Sequence, residues 1–104
     1  MERYAWKATV LPGKLEEYIR RHNAIWPEMK EMLHNAGISN YTIWNVGDEL
    51  FGYYECENIA YAAKIQAESP VTAHWNDYMR DVMVMSKDPV TGAQPLMRQV
   101  FLLE

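Results

Sequence analysis

Residues 16–28 read EEYIRRHNAIWPE and form the segment around which the rest of the chain is arranged. Tyr18 and His22 are four residues apart, so on a helix they lie one above the other on one face, and Trp26 extends the column if the helix continues. Imidazole exchanges protons near neutral pH, so such a column can belong to an active site. It is also typical of the edge of a core-facing stripe, and the spacing alone leaves both interpretations open.

Length and composition restrict the classes of protein to which the chain can belong. At 104 residues it is expected to form one domain, residues 1–104, with a single core. A content of 49% hydrophobic and 23% charged residues is ordinary for a globular protein and argues against disorder. The net charge of -4, with no basic run longer than Arg20-Arg21, argues against nucleic-acid binding.

The cysteine content and the N-terminal sequence bear on the compartment. Cys56 is the single cysteine, so no intramolecular disulfide is possible, and its strand-like apolar surroundings predict a buried thiol. Residues 1–13 contain no long apolar segment, and no stretch of the chain approaches the length of a membrane span. We therefore expect a cytoplasmic protein without a membrane partner.

The first half of the chain contains one strand pattern and two helical patterns. Residues 3–11 carry apolar side chains at every second position, which predicts a strand that Pro12-Gly13 ends. Helical spacing follows over residues 14–23. Pro27 cannot donate a backbone hydrogen bond to the preceding turn, so the helix breaks there and a second helical stripe runs to Gly37.

The second half begins with a hairpin. Runs of β-branched and aromatic residues over 39–46 and 50–57, separated by Gly47-Asp48, predict two paired strands. Helices are predicted after Asn58 and after Ser69-Pro70, both of which suit a helix start. The remaining predictions are a loop marked by Asp88-Pro89 and Gly92, and a last strand over 97–103.

The order of these elements predicts an α+β, ferredoxin-like β-α-β-β-α-β fold with an extra helix before the last strand. Helices on one face of a four-stranded sheet leave the other face uncovered, and an apolar sheet face in so small a domain requires a partner. We expect a homodimer that joins the two sheet faces, which is a dimeric α+β barrel.

Motifs for metals, nucleotides and nucleophilic serine are missing from the sequence. The three histidines, His22, His34 and His74, are not spaced as metal ligands, and the lone cysteine adds none. No glycine-rich phosphate loop and no Gly-x-Ser-x-Gly motif occurs. The chemistry favoured by the residues is proton transfer by His22 without a metal or cofactor.

The segment EEYIRRHNAIWPE, together with NYTIW (40–44), HWNDYMRDVM (74–83) and the terminal VFLLE, resembles the L-rhamnose mutarotase family over essentially the whole chain. The resemblance implies a cofactor-free homodimer of ferredoxin-like subunits that interconverts the α and β anomers of L-rhamnose. It also implies a proton-donor role for His22 and substrate contacts from Tyr18 and Tyr41. The family pattern has two consecutive tryptophans in a later helix, and here these positions hold Trp75 and Asn76.

Asn76 leaves the identity of the sugar open, because an amide suits a hydroxyl where an indole would stack on the apolar side of a deoxysugar. L-Fucose is the first alternative, and Trp26 or Trp44 are the other indoles available for stacking. Asp77 and Glu28 are candidate bases beside His22, although each also suits a surface or capping carboxylate. Two further classes stay open: a cofactor-free α+β-barrel monooxygenase and a non-catalytic binding module.

Overall fold

The computed structural model describes residues 1–86 and 97–104. These residues form four strands and four helices. In chain order they are β1 (Glu2–Val10), α1 (Leu15–Asn23), α2 (Pro27–Asn35), β2 (Ile38–Val46), β3 (Glu49–Cys56), α3 (Ile59–Glu68), α4 (Pro70–Met79) and β4 (Met83–Met85). The elements predicted between β1 and α4 are therefore confirmed, with helix pairs between β1 and β2 and between β3 and β4.

The four strands form one antiparallel sheet in the order β2-β3-β1-β4. β1 lies in the interior of the sheet, where Trp6 pairs with Gly52 of β3 and Ala8 pairs with Met85 of β4. The two strands of the hairpin meet at Gly47, whose φ of 57° is a conformation that suits glycine. The architecture is thus α+β, as predicted.

The predicted last strand over 97–103 is wrong. Residues 97–104 have neither helix nor strand, and Val100, Phe101 and Leu103 are exposed. The fourth strand is instead the three-residue β4, which follows α4 directly and is led onto the sheet by the hydrogen bond from Leu11 N to Val82 O of 2.8 Å. The sequence run has strand-like composition, but a strand forms only where a neighbouring edge is within reach. The loop predicted at Asp88-Pro89 and Gly92 lies outside the described residues.

The helix boundaries follow from capping chemistry. Pro27 is at the first turn of α2, where its missing N–H leaves nothing unsatisfied. Gly37, with φ of 78°, follows the C-cap Ala36 and provides the left-handed residue that ends the helix. Asn58 caps α3 by accepting a hydrogen bond of 2.8 Å from the backbone N–H of Tyr61. The sequence predicted these three residues as helix boundaries.

The two faces of the sheet differ sharply. The helix-covered face carries the buried core residues Trp6, Ala8, Val10, Leu50, Tyr54 and Cys56. The other face, here called the open face, carries Trp44 and Val46 of β2, Phe51 and Tyr53 of β3, and Val84 of β4. Trp44 is 68% exposed and Val46 62% exposed. Among the described residues, the helices therefore cover one side of the sheet, and the other side combines exposed apolar side chains with the ion pair of Lys7 and Glu49.

A β-bulge in β2 decides which side chains reach which face. The register passes from Ser39 to Thr42 while β3 advances by two residues, so Asn40 and Tyr41 together oppose Tyr54. Asn40 has φ of 51°, a left-handed conformation that asparagine tolerates better than most residues. The extra residue reverses the alternation of β2 and turns Tyr41 toward the helix-covered face. Tyr41 and Ile43 thus lie on the face opposite to that of Trp44.

No helix in residues 1–86 or 97–104 has the length and apolar content of a membrane span.

Candidate functional site

A cleft of about 1320 Å³ lies between the helices and the helix-covered face of the sheet. The five site residues predicted from the sequence all line it: Tyr18, His22, Tyr41, Trp75 and Asn76. They come from three elements, because Tyr18 and His22 are on α1, Tyr41 is on β2, and Trp75 and Asn76 are on α4. The fold therefore brings together side chains that are up to 58 positions apart in the chain, from Tyr18 to Asn76.

Tyr18 and His22 form the stacked pair that their helical spacing predicts. Their ring centroids are 4.3 Å apart and tilted by 32°. The Nδ1 atom of His22 lies 3.2 Å from the carbonyl oxygen of Tyr18. A carbonyl only accepts hydrogen bonds, so this contact holds the proton on Nδ1 and leaves Nε2 with a lone pair. Burial lowers the pKa of His22, partly offset by this backbone contact, so the neutral ring is favoured.

The buried hydroxyl of Tyr18 differs in its hydrogen bonding from the other buried polar side-chain atoms of the described residues. Tyr18 is 4% exposed, and its Oη is the one buried side-chain N or O atom of the described residues that has no hydrogen-bond partner. Burial, and then the nearby Tyr41, raise the pKa of Tyr18 well above its usual value, so its hydroxyl stays protonated. A buried, unpartnered hydroxyl at a cleft is suited to bind a polar group of a ligand.

Trp75 forms the wall of the cleft beside the imidazole. Its ring meets His22 edge-on at a centroid distance of 5.4 Å and meets Trp26 edge-on at 5.1 Å. Tyr78 packs against both indoles, at 5.3 Å from Trp26 and 5.7 Å from Trp75. Edge-to-face contacts of this kind fix ring orientation as well as burying area. Trp26 is thus a support behind Trp75, and it does not continue the helical column of α1.

Arg21 fastens α1 to the end of α4. Its Nη1 donates to the carbonyl oxygen of Tyr78 at 2.6 Å and to Oδ1 of Asp81 at 2.8 Å, and its guanidinium lies 4.3 Å from the ring centroid of Tyr78. Glu17 accepts from Arg20 and Arg21, which lowers the pKa of its carboxyl to about 2. The charged residues of α1 therefore also hold α4, the helix that carries Trp75.

Tyr41 reaches the cleft across the sheet. Its hydroxyl accepts a hydrogen bond of 2.9 Å from Nε1 of Trp6, and its ring packs at 5.2 Å from that of Tyr54. Burial of the hydroxyl end raises the pKa of Tyr41 to about 12, although the residue as a whole is 36% exposed. The phenol is therefore protonated at neutral pH.

Other sequence candidates are separated from the imidazole. Asp77 lines the cleft but is exposed and pairs with Arg80 at 3.5 Å, as a surface carboxylate does. Glu28 lies in a different depression, between α2 and α3. Trp44 is on the open face, so its proposed stacking on a ligand of this cleft is wrong. In the described part of the chain, no three His, Cys, Asp or Glu side chains are grouped as metal ligands.

Two residues of the site were missed by sequence reasoning. Trp6 belongs to the alternating apolar pattern that predicts β1, and neither it nor Gly52 was given a role in the site, yet Trp6 crosses Gly52 to reach Tyr41. The only signal in the sequence was a glycine inside a strand pattern, which often marks close approach of another group.

Comparison with known proteins gives a consistent result. Residues 3–103 match the family model for L-rhamnose mutarotase. An L-rhamnose mutarotase from Listeria monocytogenes serotype 4b is 45% identical over 105 residues, covering 99% of each chain. One from Lachnoclostridium phytofermentans is 41% identical over 90 residues, covering 85% of this chain and 86% of the relative.

A solved structure agrees with the sequence relatives. The crystal structure of an L-rhamnose mutarotase from Formosa agariphila superposes with a TM-score of 0.81 at 27% identity, and the alignment covers 100% of both chains. The resemblance read from residues 16–28 is thereby confirmed. Sequence and structure together establish that the chain belongs to the L-rhamnose mutarotase family.

Proposed function

We propose that this chain interconverts the α and β anomers of L-rhamnose, with His22 as the acid–base group and without a cofactor. The observation that carries the proposal is the pair on α1: an imidazole with Nδ1 held by a backbone carbonyl, beside a buried hydroxyl that has no partner. The first provides a group for proton transfer, and the second a ready contact for a sugar hydroxyl. Family membership supplies the substrate and the reaction.

The reaction consists of ring opening and reclosure. The anomeric hydroxyl passes its proton to a base or water, the bond between C1 and the ring oxygen breaks, and the ring oxygen gains a proton from the imidazolium form of His22, which gives the open-chain aldehyde. Rotation about the C1–C2 bond exposes the other face of the carbonyl, and the reverse steps close the ring to the second anomer. Protons and electrons balance without an added reactant. His22 delivers the proton to the ring oxygen and takes it back on reclosure.

The environment of His22 suits this exchange. Because burial lowers its pKa, the imidazolium is a stronger acid than an ordinary histidine and releases its proton more readily. With Nδ1 held by the Tyr18 carbonyl, both transfers take place at Nε2. One well-placed acid–base group contributes roughly 10²–10⁴-fold, which is enough for a reaction that already proceeds slowly in water.

The sugar contacts are proposed to come from the other four residues. The hydroxyls of Tyr18 and Tyr41 bind sugar oxygens, and the indole of Trp75 faces the apolar side of the ring. Asn76 is exposed at the cleft, where its amide is suited to a sugar hydroxyl. This substitution of the second tryptophan supports L-fucose or another sugar as the alternative substrate.

The proposed assembly is a homodimer formed through the open faces of two ferredoxin-like subunits, the dimeric α+β barrel. The strand order and the exposed apolar side chains of the open face support it, since Trp44, Val46 and Val84 exposed on one sheet face are unusual for a monomer. The cleft is on the opposite side of the sheet, so each subunit retains its own site.

Saturation-transfer NMR of anomer exchange tests the function. L-Rhamnose, L-fucose and D-glucose are incubated with the enzyme, and the exchange rate of the anomeric signals is compared with the rate in buffer. We expect the largest acceleration for L-rhamnose. A larger acceleration for L-fucose would select the alternative substrate, whereas no acceleration for any 6-deoxysugar would exclude the mutarotase assignment. Tight binding without accelerated exchange would instead indicate a sugar-binding module.

A further inference from the structure

We propose that Trp6, seated on Gly52, is a positioning residue for the sugar site: it holds Tyr41 with its hydroxyl proton directed at the ligand. The inference rests on the proposed function, because Tyr41 is taken as a contact of the sugar. It adds to that function a pair of residues in β1 and β3 that do not themselves contact the reacting atoms.

The hydrogen bond between Trp6 and Tyr41 spans the width of a strand. Trp6 is on β1 and Tyr41 on β2, and β3 lies between these two strands. Neighbouring strands are about 4.8 Å apart, so the two backbones are separated by about 10 Å. The Nε1 and Oη atoms nevertheless lie 2.9 Å apart. The long axis of the indole must therefore lie across β3.

Gly52 is the residue that permits this crossing. It is the register partner of Trp6 on one side and of Ile43 on the other. A Cβ atom built on Gly52 would be 1.9 Å from Cε2 of Trp6 and 2.2 Å from its Nε1, far inside van der Waals contact. Any other residue at position 52 would lift or rotate the indole. The absence of a side chain here is thus a requirement of the Trp6–Tyr41 contact.

The chemistry of the hydrogen bond fixes the direction of the phenol. An indole N–H only donates, so the oxygen of Tyr41 must be the acceptor. One lone pair is then occupied from the sheet side, and the hydroxyl proton points away from Trp6. Tyr41 lines the same cleft as Tyr18 and His22. The phenol is therefore presented as a donor to a sugar oxygen, with little freedom to turn.

Two further features hold the side chain of Tyr41 in the cleft. The bulge at Asn40 turns Tyr41 into the cleft, and packing against Tyr54 at 5.2 Å limits motion of its ring. The hydroxyl of Tyr18, which has no protein partner, lies close enough for Tyr41 to influence its pKa. Two protonated phenols thus line the same cleft, and Trp6 sets the orientation of one of them.

Exchange kinetics of three variants test the proposal. Trp6→Phe removes the donor but keeps an aromatic ring, and Tyr41→Phe removes the acceptor. We expect each to raise KM about five- to tenfold, the usual effect of one neutral hydrogen bond, with kcat changed less than about twofold. The double variant should be no worse than Tyr41→Phe alone, because Trp6 acts through Tyr41. Multiplicative effects would overturn the proposal. Tyr61→Phe on the exposed side of α3 is the matched control and should behave as wild type.

A second measurement is independent of activity. The four tryptophans give four indole ¹⁵N–¹H signals, and the spectrum of Trp6→Phe identifies the signal of Trp6. In Tyr41→Phe we expect this one signal to move upfield and its proton to exchange faster with water. An unchanged signal would refute the hydrogen bond whatever the exchange rates. If the wild type accelerates no anomer exchange but the signal moves, the proposed function fails while the contact stands.

The requirement for glycine at position 52 is tested through protein stability. We expect Gly52→Ala to lower the melting temperature by roughly 10 °C, because the added methyl overlaps the indole. In a Trp6→Phe background the same change should cost much less, since the atoms that meet the methyl are gone. Equal costs in both backgrounds would show that Gly52 does not support Trp6. Should Gly52→Ala not fold, recovery of folding in the double variant gives the same answer.

Discussion

Both faces of the sheet carry aromatic and aliphatic side chains, but the two faces differ in what covers them. On the helix-covered face, Trp6 and Tyr54 are buried, 6% and 4% exposed, and the gap that remains is the cleft. On the open face, Trp44 and Val46 are exposed, and none of the four described helices lies above them. His22 and the hydroxyl of Tyr18 lie on the covered side, whereas the polar groups of the open face include the ion pair between Lys7 and Glu49.

The difference teaches that composition alone does not assign a role to a strand residue. Tyr41 and Trp44 are three positions apart on β2, and both are large aromatics. One belongs to the cleft and the other to the proposed subunit contact, because the pleat sends them to opposite faces. Substitutions on the covered face should therefore affect chemistry, whereas those on the open face should affect assembly.

The largest effect is expected from His22→Ala. Loss of the acid–base group should reduce the rate of anomer exchange by about 10²–10⁴-fold, measured by saturation-transfer NMR. The oligomeric state should not change, because His22 is on the side of the sheet away from the open face. His34→Ala, an exposed histidine of α2, is the control and should retain full activity. A fully active His22→Ala protein would remove His22 from the mechanism.

The next effect is expected from Trp44→Glu on the open face. A carboxylate in place of an indole at a two-fold contact would be buried twice without a partner, which should raise the dimer dissociation constant at least about 100-fold. Sedimentation velocity measures this change. The control is Tyr61→Glu, since Tyr61 is 51% exposed on α3 and away from the open face. A wild-type dissociation constant for Trp44→Glu would place the subunit contact elsewhere.

Tyr18→Phe is expected to have two smaller effects of opposite kind, one on stability and one on sugar binding. The hydroxyl is buried without a partner, so its removal should leave the free energy of unfolding unchanged or raise it by up to about 1 kcal/mol. Sugar binding should weaken at the same time, seen as a higher KM in the exchange assay. Urea unfolding measures the first effect. A clear loss of stability would mean that the Tyr18 hydroxyl has a partner within the folded protein.

The smallest effect concerns pH. An unfolded chain binds a proton at histidine near pH 6.5, whereas burial lowers the pKa of His22 in the folded state. Between these two pKa values the unfolded state binds more protons than the folded state. The stability that is fully present above the unfolded pKa is therefore lost as the pH falls through the folded pKa of His22. Urea unfolding from pH 7.5 to pH 5 should show a shallower decline for His22→Gln than for wild type. Equal slopes would exclude the burial effect.

Much of the fold is predictable because its signals are local. Periodicity, Pro27, Gly37 and the cap Asn58 place the elements from β1 to α4 without knowledge of any distant residue. β4 was not predictable in this way, since three residues are too short for a pattern and depend on the free edge of β1. The apolar run over 97–103 has a better strand pattern, yet it pairs with none of the strands described in residues 1–86.

The candidate site also has a part that the sequence predicts and a part that it does not. Tyr18 and His22 are linked by one helical turn, so their pairing is visible in the sequence. The contact of Trp6 with Tyr41 depends on the order of three strands, on the register that places Gly52 between them and on the bulge at Asn40. None of these can be read from neighbouring residues.

The bulge at Asn40 also decides how β2 responds to a change in its length. Asn40 and Tyr41 together oppose Tyr54, so deleting Asn40 would restore simple alternation and leave Tyr41 and Ile43 on the helix-covered face. Deleting Thr42, just past the bulge, would instead turn Ile43 to the open face and Trp44 toward the cleft. Two deletions only two positions apart should therefore have very different effects on the protein.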